Sequence, residues 1–316
     1  MIVWIVGSGG LLGSALVRTA HAHRHQVLIS QGVPWADSEA TVSAIARDAR
    51  TLASALGEHR EGSASWAIIW AAGHATTASS TDETDRELLT FRRCLSAIQE
   101  ELGNNTGGVF ALASSGGGIY AGGSNPPFDS QSEPKPLGAY GTLKLQQEHA
   151  AVEIAGTSMG VLIARIANLY GPGQDLTKLQ GLISRLALTG VTKEPLTMFV
   201  PLDTLRDYIT ADDAAERLLH WISQHQGGTE VRVIASGRAT SLGYLINLMK
   251  DITRVATPIA SGIHASAAYQ SPDLRLMPDT DAEIEAMPLT PLPAGIKDVY
   301  EDILWRSMYG TGATRT

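Results

Sequence analysis

Short apolar runs alternate with longer segments of helical apolar spacing through the first half of this chain. The runs with the character of strands are Ile2–Val6, Gln26–Ser30, Trp66–Ala72, Gly108–Ser114 and Val161–Tyr170. Strands that are apolar on both sides are typical of a parallel sheet covered by helices on both faces. The pattern therefore predicts an α/β fold with a doubly wound parallel sheet.

Two of the helical segments, 37–56 and 88–102, are predicted crossovers between these strands. In the second half of the chain prolines and glycines become more frequent, which indicates a smaller lobe over one edge of the sheet. We therefore predict a first domain over residues 1–170, with returning segments near 205–240. The lobe is expected to make up most of 171–316.

The composition, with 44% hydrophobic and 18% charged residues, is that of a globular protein. The net charge of −8 argues against nucleic-acid binding, which needs clustered Lys and Arg. The apolar start lacks a basic leading segment, and no apolar run reaches the roughly 18 residues of a membrane span. The single cysteine, Cys94, fits a reducing compartment. We therefore expect a cytoplasmic protein without nucleic-acid or membrane partners.

The stretch VGSGGLLG places Gly7, Gly10 and Gly13 directly after the first apolar run and at the start of a helical pattern. Glycine permits the tight turn, lets backbone amides approach a pyrophosphate, and lets the helix pack closely on the strand. The helix N-terminus then faces the phosphates. This spacing therefore predicts a dinucleotide site.

The second apolar run ends in Ser30-Gln31-Gly32, without the carboxylate that usually accepts hydrogen bonds from the adenosine ribose. The nearest acid in the sequence, Asp37, fits the N-terminal cap of the following helix. Either other groups hold the ribose, or its 2′-phosphate is accommodated. The cofactor is therefore expected to be NAD or NADP.

Tyr140 and Lys144 lie four residues apart in a segment with helical character, so both side chains share one face. An ordinary phenol titrates at about pH 10, too high for ready proton exchange at neutral pH. A neighbouring ammonium favours the phenolate. The pair is suited to moving a proton on or off an alcohol while a nicotinamide takes or gives the hydride.

Together with further motifs in order, these features resemble the extended short-chain dehydrogenase/reductase family, in particular its nucleotide-sugar epimerases, dehydratases and reductases. The motifs are GSGGLLG (7–13), WAAG (70–73), SSGGGIYA (114–121), YGTLK (140–144), ARIANLYGPGQ (164–174), LRDYITADDAAERLL (205–219) and the closing segment 278–305. The resemblance covers nearly the whole chain. It implies a Rossmann-like sheet, a smaller C-terminal substrate-binding lobe, and an NAD- or NADP-dependent enzyme.

The resemblance also implies roles for matching positions. Tyr140 would be the acid/base, and Lys144 would bind the nicotinamide ribose and tune the phenol. Asn168 and Arg206 would contact the sugar nucleotide. Arg206 suits this role, because guanidinium binds diphosphate well. The alternatives are a turn-stabilising role for Asn168 and a surface ion pair for Arg206. The residues expected to bind the cofactor are Gly7, Gly10, Leu11, Leu12, Gly13, Ala71, Ala72, Gly73, Tyr140 and Lys144.

The chain departs from the family pattern at two places. Family members usually carry a Ser or Thr four residues before the tyrosine of the VYG-like motif, where this chain has Gly116. We expect Ser115, one residue earlier, to supply the catalytic and substrate-binding hydroxyl, with Ser114 as the other candidate. The helix over 82–98 also lacks the asparagine often found there in a proton relay.

The expected function is epimerisation of a nucleotide-activated sugar, in which Tyr140 removes a hydroxyl proton and the keto intermediate is reduced from the other face. Dehydration usually needs a further acid/base pair that Gly116–Gly118 do not provide. The alternatives are an NADPH-dependent reductase of a nucleotide-bound keto-sugar and a cofactor-binding sensor with degraded catalysis. The resemblance implies a homodimer formed through two helices that flank the sheet.

The alternating trio His21, His23 and His25 has the composition of a metal-binding tract. These residues lie at the end of the first predicted helix, where histidine interacts favourably with the terminal carbonyls. No cysteine or carboxylate cluster accompanies them. We therefore expect no metal site.

Overall fold

The computed structural model describes residues 1–58, 65–103, 105, 107–176, 181–256, 258–262 and 270–310. The strands are β1 (Ile2–Val6), β2 (Gln26–Ile29), β3 (Trp66–Trp70), β4 (Val109–Ser115), β5 (Gly160–Ile166), β6 (Asn168–Tyr170), β7 (Leu196–Met198), β8 (Leu205–Thr210), β9 (Thr229–Ile234), β10 (Ala239–Ser241), β11 (Ile259–Ser261) and β12 (Asp273–Leu274). The helices are α1 (Leu11–Ala22), α2 (Ser38–Glu58), α3 (Thr81–Leu102), α4 (Gly116–Ile119), α5 (Ala139–Ile154), α6 (Leu182–Thr192), α7 (Ala211–Gln224), α8 (Leu242–Thr253), α9 (Ala282–Ala286) and α10 (Leu292–Tyr309).

Six parallel strands form the main sheet in the order β2-β1-β3-β4-β5-β9. Helices α1 and α7 cover one face and pack on the side chains of Val3, Ile5 and Ile69. Helices α2, α3 and α5 cover the other face, where Trp4, Ile68 and Phe110 are buried. The prediction of a doubly wound parallel sheet is therefore confirmed.

The apolar run of β2 does not make a strand buried on both sides, which corrects the sequence-based prediction. β2 lies at the edge of the main sheet and pairs only with β1. Its end residues Gln26 and Ile29 are exposed, and Ile29 retains 39% of its accessible surface. Apolar periodicity reports side-chain character and does not reveal which strand has a single neighbour.

The apolar run 161–170 was predicted as one strand, but it forms two. The main-sheet strand β5 ends at Ile166, and the backbone amide of Ala167 donates to the carbonyl of Ile234. The chain then enters β6, which pairs in parallel with β8 in a separate small sheet. Asn168 at the start of β6 is thereby carried out of the main sheet and against β8.

Helix α3 begins at Thr81, seven residues before the crossover predicted over 88–102 and one before the helical segment 82–98. Ser80 accepts a hydrogen bond from the backbone amide of Glu83, and the Glu83 carboxylate accepts one from the Ser80 amide. This reciprocal cap stabilises a polar first turn that apolar spacing does not register. The added turns bring Glu87 inside the helix, which matters for the site described below.

A third apolar cluster holds the lobe together, and helices α6, α8 and α10 supply most of it. Tyr170 and Tyr208, from the paired strands β6 and β8, join this cluster. The lobe is thus packed directly on β6 and β8, which lie outside the main sheet. Within the described part of the chain, no helix has both the length and the apolar character needed to cross a membrane.

Candidate active site

The glycine loop follows β1 and fits tightly against the end of β3. Gly7 has a φ of +91°, and a Cβ there would lie 2.6 Å from the backbone nitrogen of Ala72. A Cβ at Gly13 would collide with the carbonyl oxygen of Gly7. The amide of Gly10, the residue that caps α1, donates to the same oxygen at 3.0 Å. Only glycine fits the first two positions, so the chain closes as a cradle at the N-terminus of α1.

Gly10 differs from Gly7 and Gly13 because a side chain there has space within the protein. A Cβ at Gly10 would meet only the Gly7 oxygen, at 3.4 Å, and one at the exposed Gly9 would meet nothing within 4 Å. We therefore expect Gly10→Ala to fold normally but to bind NAD at least about tenfold more weakly, a loss of roughly 1.4 kcal/mol, because the methyl group obstructs the diphosphate. The measurement is calorimetric titration, with Gly9→Ala as the control. Equal affinities of both variants and the parent protein would contradict the placement of the cofactor on this loop.

The end of β2 carries no carboxylate, and the first polar side chain after the strand, that of Ser30, is engaged within the protein. The hydroxyl of the buried Ser30 accepts a hydrogen bond from the indole of Trp4 at 2.9 Å. Trp35, which the sequence analysis did not single out, stands half exposed in the loop that follows and packs edge-on against Trp70. The surface at the adenosine end of the predicted site is thus aromatic rather than acidic.

Tyr140 and Lys144 lie on the first turns of α5, next to the end of β4. The Tyr140 ring packs on Gly118, where an added Cβ would lie 3.0 Å from the ring. Lys144 is only 8% exposed, and its ammonium donates to the carbonyl oxygen of Ala113 at 3.4 Å. The same ammonium lies 3.6 Å from the place of a Cβ on Gly73. The structure therefore brings Lys144 to the edge where Ala71–Gly73 follow β3, and it places Tyr140 beside Gly118, after β4.

Neighbouring groups determine how much space and which hydrogen bonds are available at the end of β4 and at the glycines that follow it. Ser115 accepts a hydrogen bond from the amide of Gly118 at 3.1 Å, which leaves its hydroxyl hydrogen free to donate. A side chain at Gly116 would approach Leu276 to 2.9 Å, so the position of the family's usual hydroxyl is filled from the lobe. The adjoining Ser114 donates to the buried carboxylate of Glu148. Of the two candidate hydroxyls, only that of Ser115 remains available.

Glu148 and Arg165 form a buried ion pair behind Tyr140 and Lys144, and the sequence analysis missed it. The guanidinium donates through both Nε and Nη2 to the carboxylate, at distances down to 2.7 Å, and through Nη1 to the Tyr120 hydroxyl. Burial opposes the charge of Arg165, but the bonds to Glu148 raise its pKa. Burial has the opposite effect on the phenol of Tyr120, whose pKa it raises. The pair fixes α5 on β5 and so positions Tyr140 and Lys144.

Glu87 on α3 reaches the loop after β3, which was also missed. Its Oε2 accepts hydrogen bonds from the backbone amides of His74, at 3.0 Å, and Ala75, at 2.8 Å. Its Oε1 lies 3.4 Å from the place of a Cβ on Gly73. The carboxylate therefore holds the loop that borders the predicted nicotinamide end, and it faces the same small space as the ammonium of Lys144.

Asn168 and Arg206 lie on the neighbouring strands β6 and β8. The side-chain amide of Asn168 donates to the carbonyl oxygen of Asp207 at 2.9 Å and joins the two strands. Arg206 is only 8% exposed, and its guanidinium donates a hydrogen bond to the carbonyl oxygen of Leu205 at 2.8 Å. Burial lowers the pKa of this guanidinium. Among the described residues, no carboxylate lies within 4 Å of it.

The alternative of a surface ion pair for Arg206 is wrong, because the neighbouring acid points the other way. Successive side chains of a strand face opposite sides. The Asp207 carboxylate accepts hydrogen bonds from the amides of Ser236 and Arg238. Burial raises the pKa of Asp207 to about 6, although these donors act in the opposite direction. Arg206 is therefore a buried cation without a carboxylate partner in the described structure, and such a group is suited to binding an anion.

The strand β12 connects the two halves of the predicted site. It pairs in parallel with β8, and Leu274 stands opposite Arg206 in the register. The side chain of Leu274 also lies 3.9 Å from the place of a Cβ on Gly117, and Leu276 fills the space beside Gly116. Arg206 thus belongs to the layer of the lobe that packs on the glycine segment next to Tyr140.

Of the three N-terminal histidines, His23 and His25 take part in surface contacts. His21 lies in the last turn of α1, as predicted, and His23 caps that helix. The His23 ring bonds to the Glu216 carboxylate at 2.7 Å and stacks on His25. Over the described ranges, no group of three or more His, Cys, Asp and Glu side chains is arranged to hold a metal ion.

Two curated proteins match parts of this chain. A dTDP-L-rhamnose 4-epimerase from Burkholderia thailandensis is 31% identical over 120 residues, which are 37% of this chain and 33% of that protein. A dTDP-4-dehydro-6-deoxyglucose reductase from Escherichia coli is 30% identical over 144 residues, 44% of either chain. The matches thus span between a third and a half of the length of these relatives.

Similarity to solved structures and to a family model covers far more of the chain. The structure of MoeE5 in complex with UDP-glucose and NAD superposes with a TM-score of 0.77 at 20% identity, over 98% of this chain and 100% of the other, which shows a shared fold. The model of the NAD dependent epimerase/dehydratase family matches residues 3–235. That match spans well over half of the sequence and includes the glycine loop, Tyr140, Lys144 and Arg206. The chain therefore belongs to the NAD dependent epimerase/dehydratase family.

Proposed function

We propose that this protein is an NAD-dependent epimerase that acts on a nucleotide-activated sugar. The observation that carries the proposal is that Lys144 reaches Gly73 while Tyr140, on the same helix, packs on Gly118, next to the glycine cradle of Gly7 and Gly13. The partial similarity to a dTDP-L-rhamnose 4-epimerase supports this choice within the family. The nucleotide and the sugar are part of the proposal.

Each residue of the site has a separate role in the proposed reaction. Bound NAD supplies the acceptor and donor of hydride. The phenol oxygen of Tyr140 takes the proton of the sugar hydroxyl and returns it to the product, while the Lys144 ammonium stabilises the phenolate by its charge. The free hydroxyl hydrogen of Ser115 donates to the sugar oxygen as its charge develops. Of the three glycines after Ser115, Gly117 leaves space for the sugar, since an added Cβ there would meet only Leu274, at 3.9 Å.

The lobe is proposed to hold the nucleotide. The buried guanidinium of Arg206 binds the diphosphate, and Asn168 lines the same sheet. This division makes residues 1–170 mainly the cofactor-binding part and 171–316 mainly the substrate-binding part. Dehydration is the less favoured reaction in this proposal, because Gly116–Gly118 offer no acid/base pair beside Ser115.

A reductase of a nucleotide-bound keto-sugar is the second candidate. The end of β2 favours it, since Ser30 is bonded to Trp4 and no carboxylate excludes a 2′-phosphate there. Partial similarity to a dTDP-4-dehydro-6-deoxyglucose reductase also supports it. A reductase exchanges NADPH for NADP in each turnover, whereas an epimerase recycles one bound cofactor.

The nucleotide carried by the purified protein decides between these activities. We expect denaturation of freshly purified protein to release NAD in near-stoichiometric amount, identified by mass. Protein that is purified empty and prefers added NADPH over NADH would indicate the reductase. Protein that binds neither nucleotide would exclude the nicotinamide-dependent function, whereas protein that binds the cofactor but turns over no sugar nucleotide would favour the sensor.

The protein is further proposed to act in the cytoplasm as a homodimer that pairs through α3 and α5. These helices pack side by side, and each presents an exposed apolar residue, Leu89 and Val152. An ion pair of Arg92 with Glu153 joins the helices. Sedimentation equilibrium would give twice the chain mass, and a monomer at micromolar concentration would contradict the pairing.

A further inference from the structure

The main sheet ends at β2, on the side where the adenosine of the cofactor is expected. In the usual dinucleotide-binding sheet a third strand pairs with the outer edge of the second strand. Here the chain crosses back over β1 after β2, and β3 pairs with the other edge of β1. Within the described ranges no strand lies outside β2. The adenosine end of the predicted site therefore lacks the outer strand as well as the carboxylate of the usual pattern.

A large aromatic side chain, that of Trp35, stands in the loop between β2 and α2. Its backbone amide donates to the carbonyl oxygen of Val33 at 3.0 Å, and the hydroxyl of Thr41 on α2 donates to the carbonyl oxygen of Pro34 at 2.9 Å. The indole packs edge-on against Trp70, with 6.4 Å between the ring centroids and 82° between the ring planes. Trp35 nevertheless retains 48% of its accessible surface. The loop thus holds the indole in a defined place and leaves much of it open to a ligand.

Trp70 connects Trp35 with the glycine cradle. It is the last residue of β3, it stands opposite Val6 in the register with β1, and it is only 4% exposed. Two residues further along the chain, the nitrogen of Ala72 lies 2.6 Å from the place of a Cβ on Gly7. Trp35 and the cradle therefore lie at the same end of the sheet. A dinucleotide whose diphosphate lies on the cradle places its adenosine ribose next to the end of β2.

We propose that Trp35 is the adenine platform of the cofactor site, on which the adenine ring stacks. This role rests on the proposed function, which places a nicotinamide dinucleotide on the glycine loop. Indole and adenine are both flat π systems, and a base stacked on an aromatic side chain is held without hydrogen bonds. Such a contact suits this end of the sheet, since the hydroxyl of Ser30 already accepts from Trp4. The nearest acid along the chain, Asp37, accepts from the backbone amide of Ala40 in α2.

Stacking on Trp35 does not distinguish NAD from NADP. The adenine ring is the same in both nucleotides, and the 2′-phosphate lies on the ribose rather than on the ring. Removal of the indole should therefore weaken the binding of NAD and NADP by the same factor. A residue that recognises the 2′ position would instead change the ratio of the two affinities.

Calorimetric titration of the cofactor-free protein with ADP-ribose tests the adenine platform, because this probe carries the adenine and the diphosphate but no nicotinamide. We expect Trp35→Ala and Trp35→Leu to weaken binding by about fivefold to a hundredfold and Trp35→Phe by less than about threefold, since phenylalanine still stacks and leucine does not. Tyr309→Ala, which removes an exposed ring at the end of α10, is the control and should bind ADP-ribose as the parent protein does. Equal losses in Trp35→Phe and Trp35→Leu, or an unchanged affinity of Trp35→Ala, would overturn the proposal.

Tryptophan fluorescence gives a second readout that does not depend on turnover. The chain has six tryptophans, so the difference between the parent protein and Trp35→Phe isolates the emission of Trp35. ADP-ribose should quench this emission saturably, because an adenine stacked on the indole quenches its excited state. Quenching of equal size in the parent protein and Trp35→Phe would overturn the stacking.

The same experiments separate the adenine platform from the proposed function. Protein that binds ADP-ribose through Trp35 but turns over no sugar nucleotide would refute the proposed function alone. Turnover together with an unchanged affinity of Trp35→Ala for ADP-ribose would refute the adenine platform alone. Protein that binds no ADP-ribose would refute both.

Discussion

Tyr140→Phe is expected to lower turnover of the sugar nucleotide by about 10²- to 10⁴-fold, the range in which a single acid/base group contributes. The substitution removes only the phenol oxygen, which has no hydrogen bond to protein groups in the described structure. The ring keeps its packing against Gly118. The free energy of unfolding and the affinity for NAD should therefore stay close to those of the parent protein.

The measurement is the rate of hydride transfer in a single turnover, followed by the absorbance of the reduced nicotinamide. Tyr309→Phe is the matched control, because Tyr309 is 61% exposed at the end of α10 and lies in the lobe. It should transfer hydride at the rate of the parent protein. A Tyr140→Phe variant that retains more than about a tenth of the parent rate would show that another group moves the proton.

The features predicted from sequence alone are those whose cause is local. The glycine loop is recognisable because its requirements include local ones: Gly7 has a positive φ, and a Cβ at Gly13 would collide with the Gly7 carbonyl. Tyr140 and Lys144 are recognisable because four residues of helix set their relation. The layered parallel sheet is predictable for a related reason, since strands buried on both faces must be apolar throughout.

The features that sequence reasoning missed depend on contacts between distant parts of the chain. Leu276, from the lobe, lies in the space beside Gly116, where family members usually carry a hydroxyl. Glu87 and Lys144 both approach Gly73 only because α3 and α5 pack side by side. Neither contact leaves a periodic pattern or a short motif. The edge position of β2 is hidden for the same reason, because strand order is a property of the assembled sheet.

The sequence-based prediction for Ser115 concerned its hydroxyl but did not include the contact that this hydroxyl makes within the protein. The sequence indicated its hydroxyl as the substitute for the one lost at Gly116. In the structure this oxygen also accepts from the amide of Gly118 and so caps α4. The cap orients the hydroxyl and leaves its hydrogen for the substrate. The role of Ser115 toward substrate stays a prediction.

Arg206→Met is expected to weaken binding of the sugar nucleotide by about tenfold to a hundredfold, because one charge-assisted bond to a phosphate contributes roughly 1.5–3 kcal/mol. Methionine keeps most of the length of the side chain and removes its charge. The affinity for NAD should not change, since the glycine loop lies in the other part of the molecule. Calorimetric titration with the nucleoside diphosphate alone measures the loss without any contribution from the sugar.

The change in melting temperature of the same variant gives a sharper test. Its sign depends on whether Arg206 stabilises the fold or binds a ligand. A buried guanidinium without a carboxylate partner destabilises the ligand-free protein, and burial has lowered its pKa. Replacing it by an apolar side chain should therefore leave the melting temperature unchanged or raise it. Binding sites commonly retain such groups at a cost in stability.

Arg165→Met is the matched comparison, since it also removes a buried guanidinium. Arg165 is paired with Glu148, which the substitution would leave charged and buried, so we expect a loss of about 3–5 kcal/mol in the free energy of unfolding. Opposite responses of the two arginines would separate a group that serves the ligand from one that serves the fold. A large destabilisation by Arg206→Met, with nucleotide affinity unchanged, would instead place Arg206 with Arg165 as part of the structural core.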